Sequence, residues 1–173
     1  MKQHIGPEQF RELVKRYSPY VYSLAYRILG NMADAQDVSQ ETFVKIYRSY
    51  DQYDTKRDIK NWICTIAVNA SRDFYRKTRR AYEYAFDEEK APGIEERLDD
   101  RIDLKRVMSA LDIRYRTVVV LFYLERKSIE EIAGIIKRPK GVVKIWLFRA
   151  RKSMLDLYAG KKKNEMFEST TSV

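Results

Sequence analysis

Of the residue types that do chemistry, this sequence supplies charged groups in quantity and little else. Its single histidine, His4, and single cysteine, Cys64, cannot furnish a histidine-based nucleophilic triad or a zinc site of mixed cysteine and histidine ligands. Cys64 sits between Ile63 and Thr65 in an apolar-periodic stretch, the setting of a buried core thiol rather than a redox centre. One cysteine forms no intrachain disulfide, which excludes a disulfide-stapled secreted scaffold. The six glycines do not gather into a phosphate-cradling loop. No catalytic residue, cofactor site or metal site is expected from this inventory.

What remains is charge, sorted by sign along the chain. Asp34, Asp37 and Glu41 fall at i, i+3 and i+7, and no base occurs from Asn31 to Val44. Such a stripe repels DNA. By residue type it is a solvated face, a divalent-cation site built from carboxylates, or a patch that docks a basic partner protein. Residues 71–80 reverse the sign, with Arg72, Arg76, Lys77, Arg79 and Arg80 against the single acid Asp73. At about 100° per residue, Asn69, Arg72, Arg76 and Arg79 project from one arc, beside a packed face of Ile59, Trp62, Ile63, Ile66, Ala70 and Phe74. Asn69 has the donor–acceptor pattern to read a base edge, and the cations suit phosphates. Tyr75 and the loop tyrosines Tyr50 and Tyr53 either stack an unpaired base or are core aromatics. From Ile132 to Leu155 the chain holds seven bases, Lys137, Arg138, Lys140, Lys144, Arg149, Arg151 and Lys152, and no acid. Over the whole chain 34 Lys and Arg face 25 Asp and Glu, a formal charge of +9, and the clustering of that excess points to a polyanionic partner.

The elements that must carry these patches are helical throughout, because apolar residues recur at three- and four-residue intervals and none of the chain alternates over a strand's length. With 173 residues, an all-α fold of two small domains is expected. The first, 1–80, divides into four helices. One bears Phe10, Leu13, Val14 and Tyr17; a second, capped by Ser18 with Pro19 in its first turn, bears Val21, Leu24, Ala25 and Ile28. Gly30-Asn31 closes it. A third runs from about Ala33 to Tyr47, and a fourth from about Asp58 to Arg80. An acidic flexible linker, 81–102, follows: residues 83–103 hold nine acids against three bases around Pro92-Gly93. The second domain, 103–160, has apolar stripes Leu104, Val107, Met108, Leu111 and then Tyr115, Val118, Val119, Phe122, with Asp112 as a cap between them. Ser128-Ile129-Glu130-Glu131 is a capping box worth on the order of 1 kcal/mol. It opens a helix that stops at Lys137-Arg138-Pro139, and a long basic helix follows, which together make a helix-turn-helix. Lys140 and Lys144 stand near the start of that second helix, where groove contacts are made, with Arg149 and Arg151 nearer the backbone. The tail, 161–173, is expected to be disordered. No run of about 18 apolar residues is present, and the first residues lack a signal peptide's apolar core, so a cytoplasmic protein without membrane insertion is expected.

These residues resemble one family, the extracytoplasmic-function (group IV) sigma factors of bacterial RNA polymerase. Asp34-Ala35-Gln36-Asp37-Val38-Ser39-Gln40-Glu41-Thr42-Phe43 is similar to the family's "DAEDLVQETF" segment. Asn61-Trp62-Ile63-Cys64-Thr65-Ile66-Ala67-Val68-Asn69 with Asp73-Phe74-Tyr75-Arg76 is similar to "WLyrIArN…DyyR". Glu131-Ile132-Ala133 and Arg149-Ala150-Arg151 match two anchor points of region 4, and the likeness runs in order from about residue 8 to 157. The resemblance implies a non-catalytic initiation subunit. Region 2 would bind the β′ clamp helices of core RNA polymerase through Asp34, Asp37, Gln40, Glu41 and Phe43, and would recognise and open the −10 element through Asn69, Arg72, Arg76, Lys77, Arg79 and Arg80. Region 4 would read the −35 element through Arg138, Lys140, Lys144, Arg149 and Arg151 and contact the β flap, with the acidic linker in the RNA-exit path. The family is often held by an anti-sigma factor. Three departures stand out. Lys137 replaces the usual glycine of the turn, at a cost of order 1 kcal/mol if that residue is held at positive φ. Pro139-Lys140-Gly141-Val142-Val143-Lys144 replaces "s.gTVKSRL", and Asp112 replaces a proline.

Two other classes compete. A stand-alone helix-turn-helix repressor or activator accounts for the second domain but leaves the acidic stripe and the Trp62 to Arg80 segment idle. A metal-dependent nuclease lacks a second ligand cluster.

Overall fold

The computed structural model describes residues 4–85 and 104–170, with side chains described over 4–79 and 106–159. Among the described residues seven α-helices order the chain and no strand occurs: α1 Pro7–Leu29, α2 Met32–Ser49, α3 Ile59–Ala85, α4 Leu104–Ala110, α5 Ile113–Val119, α6 Ile129–Ile136 and α7 Lys140–Thr170. Most of the linker expected at 81–102 lies outside the described residues; its first five belong to the end of α3.

The first domain has three helices where four are expected. The two segments either side of Pro19 form one helix, α1. Ser18 does not cap; its hydroxyl donates to the Val14 carbonyl one turn back at 2.5 Å. An interior proline costs about 3 kcal/mol or more through its missing N–H and its ring's clash with the i−4 carbonyl. Val21, Leu24 and Ile28 are each fully buried on the continuing face, at roughly 1.5–3 kcal/mol per side chain, so burial offsets the proline. Gly30, at φ 78°, ends α1 with its N–H on the Tyr26 carbonyl at 2.7 Å. Asn31 then caps α2, its side chain accepting from the Asp34 N–H at 3.0 Å. Asp58 caps α3, accepting from the N–H groups of Lys60 and Asn61.

In the second domain Asp112 caps α5 as expected, accepting from the Arg114 N–H at 2.9 Å. α5 widens into a π-turn over Val120–Leu124, where the Glu125 N–H reaches the Val120 carbonyl. The Ser128–Glu131 capping box is complete, with bonds of 2.8 and 3.2 Å. The turn after α6 places Lys137 at φ 53° and ψ 53°, and α7 starts at Lys140. α7 runs on to Thr170, where the sequence reading puts a disordered tail. Its last stretch is rich in Lys, Glu and Met with no proline to stop it, and these residues carry favourable helix propensity.

One apolar core joins both domains. Val21, Leu24, Ile28, Ile63 and Ala67 of the first pack in the same cluster as Val118, Leu121, Ile132, Ile135 and Ile136 of the second. Cys64 lies within it, fully buried, and burial pushes its thiol above the ordinary value, as a core thiol requires.

Candidate nucleic-acid and protein interfaces

The acidic stripe lies on the outer side of α2. Ala35, Val38, Ser39, Thr42 and Ile46 are buried, which leaves Asp37 and Gln40 exposed and Asp34 and Glu41 partly so. Burial and the neighbouring Asp37 raise the Asp34 carboxyl above its ordinary value. Among the described residues neither Asp34 nor Asp37 forms an ion pair, while Glu41 pairs with Lys45 one turn along at 2.9 Å. Among the described residues Asp34 and Asp37 thus have no compensating arginine, while Glu41 is offset by Lys45. Among the described residues no three carboxylate, thiol or imidazole groups converge as a metal site would need. Phe43 is a correction. It is only 8% exposed and packs in the core, because two residues beyond Glu41 a helix has turned about 200°. In its place the ridge carries exposed apolar residues that sequence reasoning missed: Val44 and Tyr47 are 47% and 54% exposed. Val44 follows Asp37, Gln40 and Glu41 at helical spacing, so charge and apolar surface share one face. An exposed valine in sequence looks the same as a core one, and only the packed neighbours distinguish them.

The basic arc of α3 is split by its partners. Arg76, Lys77 and Arg79 are exposed, and Arg76 pairs with Asp73 at 3.0 Å. Asn69 and Arg72 are half-buried and reach across to the second domain. Asn69 Nδ2 donates to the Ile135 carbonyl at 3.2 Å, and Arg72 to the Ile136 carbonyl at 3.2 Å. Burial, then Arg138 and Arg76, lowers the Arg72 guanidinium below its ordinary value. A cleft of about 640 Å³ opens here between the domains, lined by Asn69, Arg72, Tyr75, Arg76, Arg79, Arg114 and Lys137 among others. The side chain of Arg80 lies outside the described residues. Tyr50, Tyr53 and Trp62 cluster at the start of α3, with ring centroids 5.0–6.0 Å apart. The Tyr53 hydroxyl donates to the Arg57 carbonyl. All three rings are partly buried.

The helix-turn-helix presents its second helix outward. Val143, Leu147 and Ala150 are buried, so Lys140, Lys144 and Arg149 are exposed, as is Arg138 in the turn. Lys140 pairs with Glu130 of α6 at 2.8 Å and holds that carboxyl below its ordinary range. Arg151 is held differently. Its Nε donates to the Tyr123 hydroxyl at 2.7 Å, and its guanidinium lies 5.8 and 5.7 Å from the Phe122 and Tyr123 rings. Ile145 and Phe148, 51% and 67% exposed, accompany Lys144 on the outer face. Apolar tips beside a cation suit thymine methyls next to phosphate.

Two family descriptions match the chain: Sigma-70 region 2 over residues 13–81 and Sigma-70, region 4 over residues 101–154. The chain is 29% identical to the ECF RNA polymerase sigma factor SigW of Bacillus subtilis, over 85% of this chain and 87% of that one. It is 33% identical to the RNA polymerase sigma factor SigV of the same organism, over 77% and 81%. Its fold is like that of the sigma factor RpoE from Bartonella quintana, solved in complex with the anti-sigma factor NepR. The TM-score is 0.67 at 23% identity, covering 88% of this chain and 98% of that one.

Proposed function

Given that the chain belongs to the extracytoplasmic-function sigma factors of RNA polymerase, we propose how its surfaces divide the work of directing promoter-specific initiation. Core RNA polymerase docks on the ridge of Asp34, Asp37, Gln40 and Glu41, extended by Val44; its complement is the β′ clamp helices. Arg76, Lys77, Arg79 and Arg80 grip phosphates at the −10 element, while Asn69 and Arg72 approach base edges as the strands part. Arg138, Lys140, Lys144 and Arg149 engage the −35 element, with Ile145 and Phe148 against base methyls and Arg151 in a supporting position on Tyr123. Residues 1–80 and 103–160 are the working units, with 81–102 as connector and the β flap as the second unit's polymerase contact. The chain acts in the cytoplasm, without catalytic chemistry of its own, and an anti-sigma factor is among its partners, as it is for the Bartonella protein.

The observation that carries this reading is the acidic ridge, where among the described residues Asp34 and Asp37 form no ion pair: cationic faces serve nucleic acid, and one face of opposite sign, apolar at its end, serves a protein. A stand-alone repressor has no use for that face. Run-off transcription with core enzyme on promoter-bearing templates tests the reading. A discrete transcript is expected only when both chain and core are present, and equally sequence-specific DNA binding by the chain without core contradicts it.

A further inference from the structure

Two carboxylates open the helix-turn-helix, and they are spent differently. From Ser128 to Leu155 the chain has Glu130 and Glu131 as its acids, against seven bases. Glu131 is committed to the capping box with Ser128. Glu130, the second residue of α6, instead reaches across the turn to Lys140, the first residue of α7, at 2.8 Å. Both side chains are exposed, at 59% and 60%, and an exposed ion pair contributes little to stability. Its consequence lies in what Lys140 is free to do. Lys144, one turn further along α7, acts on the same carboxylate, and the two lysines keep it ionised at neutral pH.

The place of the pair in the fold gives it a role. In a helix-turn-helix the first residues of the second helix meet base edges, while the first helix crosses the DNA backbone. A free lysine there is a point charge on a flexible stem, and it takes the nearest phosphate, a contact without sequence information. A carboxylate beside it repels phosphate and accepts one of the three ammonium N–H groups. The two donors that remain match O6 and N7, the paired acceptors that guanine presents in the major groove. Adenine sets an amino group beside N7, and thymine a methyl group beside O4. We propose that Glu130 is a positioning residue for promoter recognition: by holding Lys140 it keeps that ammonium off phosphate and on a guanine edge at one position of the −35 element. The proposal rests on the reading of Lys140 as a −35 contact.

The test uses the full chain assembled with core RNA polymerase and a duplex library randomised across the −35 element, with the bound duplexes sequenced. The unsubstituted chain is expected to enrich guanine at a position that Lys140→Met abolishes. Glu130→Gln keeps the size of the side chain and leaves the Ser128–Glu131 box intact. It is expected to lose about tenfold of the preference at that position, the size of one base-edge contact, and none elsewhere. On duplexes with that guanine replaced, Glu130→Gln should bind more tightly than the unsubstituted chain, with a salt slope steeper by about one, because Lys140 gains a phosphate. In a Lys140→Met background Glu130→Gln should change neither preference nor slope. A Glu130→Gln profile identical to that of the unsubstituted chain, with the guanine still lost in Lys140→Met, overturns the proposal and keeps Lys140 on the DNA. A Lys140→Met profile identical to that of the unsubstituted chain overturns both readings. A Glu130→Gln effect that persists without Lys140 also overturns the proposal, since the carboxylate then acts on DNA by its charge alone.

Discussion

Lys137 sits in left-handed backbone, φ 53°, at the place where a helix end accepts glycine most readily. Its conformation was legible from the sequence, because a helix-turn-helix without a turn glycine must put some side-chain-bearing residue there. Lys137→Gly should therefore stabilise the second domain by up to about 1 kcal/mol, the steric cost of αL for a residue with a Cβ, read as a higher urea midpoint. Asp34 carries a different penalty. Burial and Asp37 raise its folded pKa, so the ionised form is disfavoured in the fold at neutral pH and the penalty disappears as pH falls below the unfolded value of about 3.9. Asp34→Asn should raise the unfolding midpoint at pH 7, lose that advantage on acidification, and weaken polymerase binding. Glu131 has the opposite sign. Bonds from the Ser128 N–H and hydroxyl hold its carboxyl below the ordinary range, so its contribution is present above about pH 4.3 and fades as pH falls through its folded value. Glu131→Ala should flatten the acid limb of the stability curve. Phe43 was not legible, since an aromatic at the end of a segment that matches a docking surface reads as surface until its helical angle is fixed.

At the scale of elements, α1 shows where local rules give way. Ser18-Pro19 is a good helix start by every short-range criterion, and the continuous burial of Val21, Leu24 and Ile28 against α3 and the second domain overrides it. Pro19→Ala restores a backbone donor and relieves the ring clash, and is expected to raise stability by about 2 kcal/mol; an unchanged midpoint would mean the proline bears no strain. The α3 and α7 faces were legible, because charge and apolar residues separate at helical spacing. Arg76→Ala and Lys144→Ala should each weaken promoter binding and reduce its salt slope by about one, as the loss of a phosphate contact does. Arg151→Ala should act less on the slope and more on stability, since its guanidinium is committed to Tyr123.

For the molecule as a whole, two domains and the separation of charge by sign could be read from residue order, and the contact between the domains could not. That contact runs through backbone carbonyls of Ile28, Leu29, Ile135 and Ile136, which carry no side-chain code, and through an arginine embedded in an apolar run. The central claim, that one negative ridge is reserved for a protein while the positive faces serve DNA, is tested most directly by charge reversal. With Asp37→Lys and Glu41→Lys together, the binding of labelled chain to core polymerase should fall by more than about tenfold, while affinity for nonspecific duplex DNA is retained or rises. Core binding left intact by the double reversal would contradict the account.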